Sequence, residues 1–287
     1  GIMLKRREFM KRIGLAAAAG TLLGPAGLSG MRKKGSLPNI VYILSDDMGY
    51  GDASCYNENS KIKTRNIDRL ASAGMMFTDA HTNASVCTPT RYGILTGRYC
   101  WRTQKKNGVL QGFSKHLIDT SRMTVASLLN ENGYTTSCIG KWHLGMDFTS
   151  KDGKKLARDG KNVDFSKPTT NGPNDLGFDH YFGLSASFNH TPHAYIKNRQ
   201  VQGNLQFLSD TEKKAQKIQG KFGWKADNYV QNEVMLKLAE DAVSWVKKSA
   251  KADKPFFMYM PLHSPHAPII PRDEFIGKSG LTSYGDW

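Results

Sequence analysis

A mainly parallel α/β sheet sandwiched by helices is predicted by three observations. Residues 39–44 and 256–260 are short apolar runs rich in β-branched and aromatic residues, of the kind buried on both faces of a parallel sheet, and residues 134–139 read as a third strand. Segments with helical spacing separate them, which requires crossover connections. Each run also leads into polar residues: Asp46 and Asp47, Lys141 and His143, His263 and His266. In such sheets ligands bind beyond the carboxyl ends of the strands, so the three ends are expected to share one site.

The 287 residues are 39% hydrophobic, enough for one large domain or two small ones. Residues 1–35 stand apart as a leader and linker. Lys5-Arg6-Arg7-Glu8-Phe9-Met10-Lys11 is a basic start, and residues 13–28 form a dilute apolar run rich in Ala and Gly, the pattern of a signal peptide. Its low hydropathy and its Gly and Pro content argue against a stable membrane span. The net charge of +15 does not imply nucleic acid as a partner. Lys5, Arg6, Arg7, Lys11, Arg12, Arg32, Lys33 and Lys34 against Glu8 contribute +7 of it, and the rest suits an anionic substrate or a solvated surface.

In chain order, strand 39–44 runs into Ser45-Asp46-Asp47-Met48-Gly49, where adjacent carboxylates offer hard oxygen ligands to Ca²⁺ or Mg²⁺ and glycine lets the chain turn. A helix over 66–73 closed by Gly74 and a strand over 75–80 follow. At Ser85-Val86-Cys87-Thr88-Pro89-Thr90-Arg91, Pro89 fits the first helical position, which places Cys87 among unpaired N–H groups at the positive end of the helix dipole. Arg91 faces the same side one turn later. Residues 108–120 read as loop and 123–132 as a helix stopped by Gly133. Strand 134–139 continues into Gly140-Lys141-Trp142-His143-Leu144-Gly145. Residues 147–173, rich in Lys, Asp and Gly, read as an exposed insertion. Residues 184–195, carrying Ser187, Asn189, His190 and His193, read as a loop near the site. A helix over 226–250 precedes the last strand and its His263-Ser264-Pro265-His266.

Cys87-Thr88-Pro89-Thr90-Arg91 with Gly93-Ile94-Leu95-Thr96-Gly97-Arg98, and Gly140-Lys141-Trp142-His143-Leu144-Gly145, closely resemble the two signatures of the type I sulfatases. The resemblance covers about residues 38–287. It implies an alkaline-phosphatase-like fold, with residues 36–287 as an N-terminal catalytic domain incomplete at its C-terminus. It implies that Cys87 is converted to formylglycine by a formylglycine-generating or sulfatase-maturing enzyme. Calcium, with magnesium as the alternative, would be held by Asp46, Asp47, the modified Cys87 and a later Asp-Asn pair that this sequence does not supply. Arg91 and Lys141 would hold the sulfate. His143 would take the proton from the second hydroxyl of the hydrated aldehyde, and His266 would bind substrate and protonate the leaving group. Ser187 and His263 are candidate substrate contacts.

The implied activity is hydrolysis of sulfate esters of carbohydrates or aryl alcohols, on a sulfated small molecule or polysaccharide. Two rivals stand beside it: a phosphate or phosphonate ester hydrolase of the same superfamily, and a non-catalytic protein that binds sulfated glycans. Arg6 and Arg7 resemble a twin-arginine export signal, which implies the twin-arginine machinery as a partner and a periplasmic or extracellular location. Because the family's later ligands would follow Trp287, this chain taken alone is expected to show little activity. Cys55, Cys87, Cys100 and Cys138 form no CxxC pair and no zinc spacing. One bridge among Cys55, Cys100 and Cys138 remains open in an exported protein.

Overall fold

The computed structural model describes residues 37–221 and 223–287. The leader reading of residues 1–35 lies outside them.

The apolar run after Asn39 forms β1 (Ile40–Asp46), and two other predicted strands appear as β2 (Thr135–Lys141) and β8 (Phe256–Pro265). With β3 (His180–Leu184), β4 (Ile196–Lys197) and β5 (Gln200–Val201) they make one six-stranded sheet in the order β1-β8-β2-β3-β4-β5. The pairs β1/β8, β8/β2 and β2/β3 are parallel, and β4 and β5 add an antiparallel margin. A separate antiparallel ribbon pairs β6 (Leu205–Leu208) with β7 (Gly223–Ala226). The α/β fold with a mainly parallel sheet is thus present.

Alternation along the strands creates two cores. Cys138, Phe257 and Tyr259 belong to one, shared with Tyr92 and Leu95 of α2 (Cys87–Thr96) and Ala126 of α3 (Val125–Glu131). Ile139 and Met258, one residue out of phase, belong to the other, shared with Val234, Leu238 and Ala242 of α5 (Val234–Ser249). Side chains two apart on a strand share a face, so helices must cover both sides of β2 and β8. At β1 the cover fails: Val41 is 47% and Ile43 59% exposed. The parallel strands approach closely at their ends. A Cβ on Gly140 (φ +139°) would lie 2.0 Å from the Pro261 carbonyl oxygen, so glycine is required there.

Several expectations are corrected. Residues 75–80 form no strand, and Met75 and Phe77 are 78% and 65% exposed, because no neighbouring strand pairs with them. The preceding helix, α1 (Arg65–Ala73), buries no residue. Residues 147–173 are not merely an exposed insertion, since Phe148 and Val163 enter the core and Asp147 bridges to Thr170. The helix expected over 226–250 starts only at Val234, because the preceding residues complete β7 and a turn. Pro89 is the third residue of α2, and Cys87 is the first. The early N–H groups of a helix have no intrahelical acceptor, so proline is tolerated there as well. Gly97, left-handed at φ 65°, ends α2 by donating to the Gly93 carbonyl at 2.9 Å. All four cysteines are free thiols, so no bridge joins Cys55, Cys100 and Cys138.

Candidate active site

The adjacent strands β1, β8 and β2 end side by side, and Arg91 ties the three ends together. Its guanidinium is 1% exposed and donates from Nη1 to the Lys141 carbonyl at 2.6 Å and from Nη2 to the Leu262 carbonyl at 3.3 Å. Nη2 also lies 3.5 Å from Asp46 Oδ2. Lys141 Nζ donates to that same oxygen at 2.5 Å. One buried carboxylate therefore serves two buried cations, which leaves a surplus positive charge at the N-terminal turn of α2. Burial pushes the Lys141 ammonium below its ordinary pKa, the Arg91 cation pushes it further, and Asp46 opposes both.

Cys87 opens onto this charge. It lines a pocket of about 300 Å³ together with Asp46, Asp47, Ser85, Thr90 and Arg91. Two cations near a helix N-terminus behind a partly accessible side chain suit the pocket to an anion, with Cys87 at its wall.

His143, 1% exposed, is fixed from three sides in left-handed backbone at φ 59°. Its N–H donates to the Ser185 carbonyl at 3.0 Å, and its carbonyl accepts from Thr88 Oγ1 at 2.8 Å. Its Nε2 lies 2.8 Å from the Leu110 carbonyl. A carbonyl can only accept, so Nε2 carries the proton and Nδ1 presents a lone pair, buried and without a hydrogen-bond partner. Burial, and then the Lys141 and Arg91 cations, hold the ring well below the ordinary histidine pKa, so it is neutral at physiological pH. Thr88 closes the ring by accepting from the Leu110 N–H at 3.1 Å.

His266 stands at the outer edge of the site. Its Nε2 is 3.7 Å from Asp47 Oδ2, and its Nδ1 contacts the Ala267 carbonyl. Asp47 is itself left-handed at φ 67°. The structure thus gathers Asp46, Asp47, Cys87, Arg91, Lys141, His143 and His266 around one end of the sheet. The two other expected site residues are buried and engaged elsewhere. His263 is 1% exposed and stacks on Phe188 at 4.1 Å between ring centroids, with neither ring nitrogen paired. Ser187 is 4% exposed, and its carbonyl accepts from the His190 N–H.

Asp46, Asp47 and Cys87 share a pocket wall, as metal ligands would. Asp46 Oδ2 is already engaged by two cations, however, and no group of three or more His, Cys, Asp or Glu suited to a metal is found among the described residues. That is an incomplete shell against the roughly six to eight oxygens that calcium takes. Sequence reasoning missed Thr88 and the Leu110 carbonyl as the frame of His143, and it left His190 as one loop residue among several. The ring centroids of His190 and His143 are 5.6 Å apart.

The family model described as Sulfatase matches residues 38–284. The chain is similar to an N-acetylgalactosamine-6-O-sulfatase of Bacteroides thetaiotaomicron, 34% identical over 283 residues that cover 87% of this chain and 52% of the relative. It is also similar to human arylsulfatase G, 32% identical over 88% of this chain and 46% of the relative. The chain spans about half the length of the curated relatives it matches. Among solved structures, one from a study of glycosaminoglycan metabolism by B. thetaiotaomicron superposes with a TM-score of 0.74 at 31% identity, covering 87% of this chain and 55% of that one. Ps i-CgsB in complex with k-i-k-neocarrahexaose gives a TM-score of 0.61 at 27% identity, over 87% of this chain and 51% of that one.

Proposed function

Because this chain belongs to the sulfatase family, we propose that it is the catalytic portion of a sulfuric ester hydrolase acting on sulfated carbohydrates or aryl sulfates. The observation that carries the reading is the pairing of Arg91 and Lys141, both buried, behind Cys87 at the first turn of α2. Two cations sharing one carboxylate leave charge to meet the nonbridging oxygens of a sulfate, where negative charge accumulates as sulfur is attacked.

Conversion of Cys87 to formylglycine would supply a hydrated aldehyde as the nucleophile toward sulfur. Its half-buried place in the pocket suits both the modification and the attack. Arg91 and Lys141 orient the sulfate. His143 Nδ1, a lone pair with its tautomer fixed by Leu110, takes a proton inside the site. His266, at the outer edge, is placed to return a proton to the departing alcohol. Asp46 and Asp47 would supply carboxylates to a divalent cation, calcium or magnesium. The described residues do not complete its shell, and no step above depends on it.

A sulfated glycan is the preferred substrate class, since the relatives include a sulfatase named for N-acetylgalactosamine-6-O-sulfate and a structure holding a carrageenan-type hexaose. Residues 1–35 would direct twin-arginine export to the periplasm or beyond, on the strength of Arg6, Arg7 and the dilute apolar run after them. Among the described residues no helix is long and apolar enough to cross a membrane.

The test combines intact mass with turnover. The peptide bearing Cys87 should be about 18 Da lighter than its thiol form once modified. Converted full-length protein should then hydrolyse 4-nitrophenyl sulfate well above 4-nitrophenyl phosphate. An unmodified Cys87 or a preference for phosphate overturns the reading.

A further inference from the structure

We propose that a basic groove beside His143 binds a second anionic group, a carboxylate or a sulfate, on the sugar chain that carries the scissile ester. The inference rests on the sulfate-ester reading above and adds a requirement to it: the preferred substrate is a polyanionic oligosaccharide rather than an isolated sulfate ester.

The groove is a cavity of about 550 Å³ where segments carrying Gln111, Arg158, His190 and Lys221 meet. It borders the catalytic centre at two points. The ring of His190 lies 5.6 Å from that of His143, and Gln111 follows Leu110, whose carbonyl receives His143 Nε2. The groove shares Gln111 and Arg158 with a further cavity of about 300 Å³ that is lined by Leu110 and Lys105. The two adjoin as one basic track beside His143.

Charge makes the track selective. Arg158 and Lys221 are exposed at their stations and take part in no ion pair among the described residues. The one carboxylate on the wall, Asp159, lies 3.4 Å from Lys161, which offsets it. His190 registers the resulting field: burial, with Lys221 and Lys141 next, pushes its ring down to about 4, so at neutral pH it presents an uncharged imidazole between cations. An anion entering the groove meets two unpaired cations in a partly enclosed space, where charge-assisted hydrogen bonds are strongest. A compact aryl sulfate offers a single anionic group, whereas a charged glycan carries a second one for the groove.

The test measures inhibition of 4-nitrophenyl sulfate hydrolysis by three probes: inorganic sulfate, a chondroitin 6-sulfate tetrasaccharide carrying carboxylates and sulfates, and a carrageenan tetrasaccharide carrying sulfates alone. The Arg158→Ala/Lys221→Ala double variant should weaken oligosaccharide inhibition relative to inorganic sulfate by at least about tenfold, as expected for losing two charged contacts. The charge-keeping Arg158→Lys/Lys221→Arg variant should restore most of it. Loss confined to the chondroitin probe assigns the groove to carboxylates, and loss with both assigns it to sulfates. An unchanged ratio for both probes, or oligosaccharides that inhibit the parent no better than inorganic sulfate, overturns the proposal. Should the converted full-length protein not turn over 4-nitrophenyl sulfate, the activity reading fails by itself, and calorimetric binding of the same tetrasaccharides to parent and double variant decides the groove.

Discussion

The hydroxyl of Thr88, the residue after Cys87, donates a 2.8 Å hydrogen bond to the carbonyl of His143, 55 positions later in the chain. The first turn of α2, which carries Cys87, and the loop that carries His143, the proposed nucleophile position and proton acceptor, are thereby fixed to each other through one buried side chain. Thr88→Val removes the donor while keeping the shape, and a His143 displaced by about 1 Å should cost at least ~10-fold in kcat. Thr88→Ser should stay near the parent. Steady-state kinetics on an aryl sulfate check both, and a Thr88→Val enzyme with parental kcat would show that His143 is held by other means.

Asp46 carries a structural duty besides any metal. Replacing it with Asn leaves Lys141 and Arg91 buried without their shared carboxylate, and breaking a buried ion pair from one side costs ~3–5 kcal/mol. Asp46→Asn should therefore lower the urea midpoint even in a chelator, where no cation contributes. A loss under ~1 kcal/mol would mean that the carboxylate does not stabilise the fold.

Backbone crowding where β3, β2 and β8 lie side by side predicts sharp intolerance. A Cβ on Gly183 would stand 1.8 Å from the Gly140 carbonyl oxygen, and one on Gly140 would stand 2.0 Å from that of Pro261. Neither obstacle is a movable side chain. Gly183→Ala and Gly140→Ala should each destabilise by over ~3 kcal/mol, as read by thermal or chemical unfolding. Gly153→Ala, with open space around its Cβ, should cost only the strain of its positive φ.

Acid should unfold the domain through its histidines. His143, His193 and His263 are held below the ordinary histidine pKa, in each case first by burial. Each binds a proton more readily when unfolded, so the stability contributed by the neutral rings is present above pH ~6.5 and is lost as pH falls below it. At pH 5.5 the loss is on the order of 1 kcal/mol for each of His143 and His263, the two held well below the ordinary value. Unfolding midpoints measured from pH 7.5 to 5 should fall steadily, and a flat profile would show that these rings are protonated in the folded state.

The parts of this architecture legible beforehand were those stabilised by their own composition. The runs at 39–44 and 256–260 are almost wholly apolar and became β1 and β8, while 134–139, with Thr135, Thr136 and Ser137 at its centre, became β2 through its β-branched residues and the turn glycine before it. Strands β4 and β5, of two residues each, exist only because each has a neighbour to pair with, and no local pattern announces that. Met75 and Phe77 show the converse, a strand-like composition with no partner. At the site, Cys87, Arg91 and Lys141 were legible as candidates only through the two motifs that resemble the sulfatase signatures, since a lone Cys or Lys-x-His says little by itself. The frame of His143 is made of the Leu110 carbonyl and the Thr88 hydroxyl, groups that carry no special composition and meet only through the fold.

The left-handed backbone at Asp47 (φ 67°) and His143 (φ 59°) puts two chemically committed side chains where glycine or asparagine would rest more easily, at a cost of roughly 1 kcal/mol or more apiece. A library of variants screened only for heat resistance should therefore drift toward Gly or Asn at these two positions and lose the proposed metal carboxylate and proton acceptor as it gains stability. If both residues serve the proposed reaction, selection for durability and selection for turnover pull the same two codons in opposite directions.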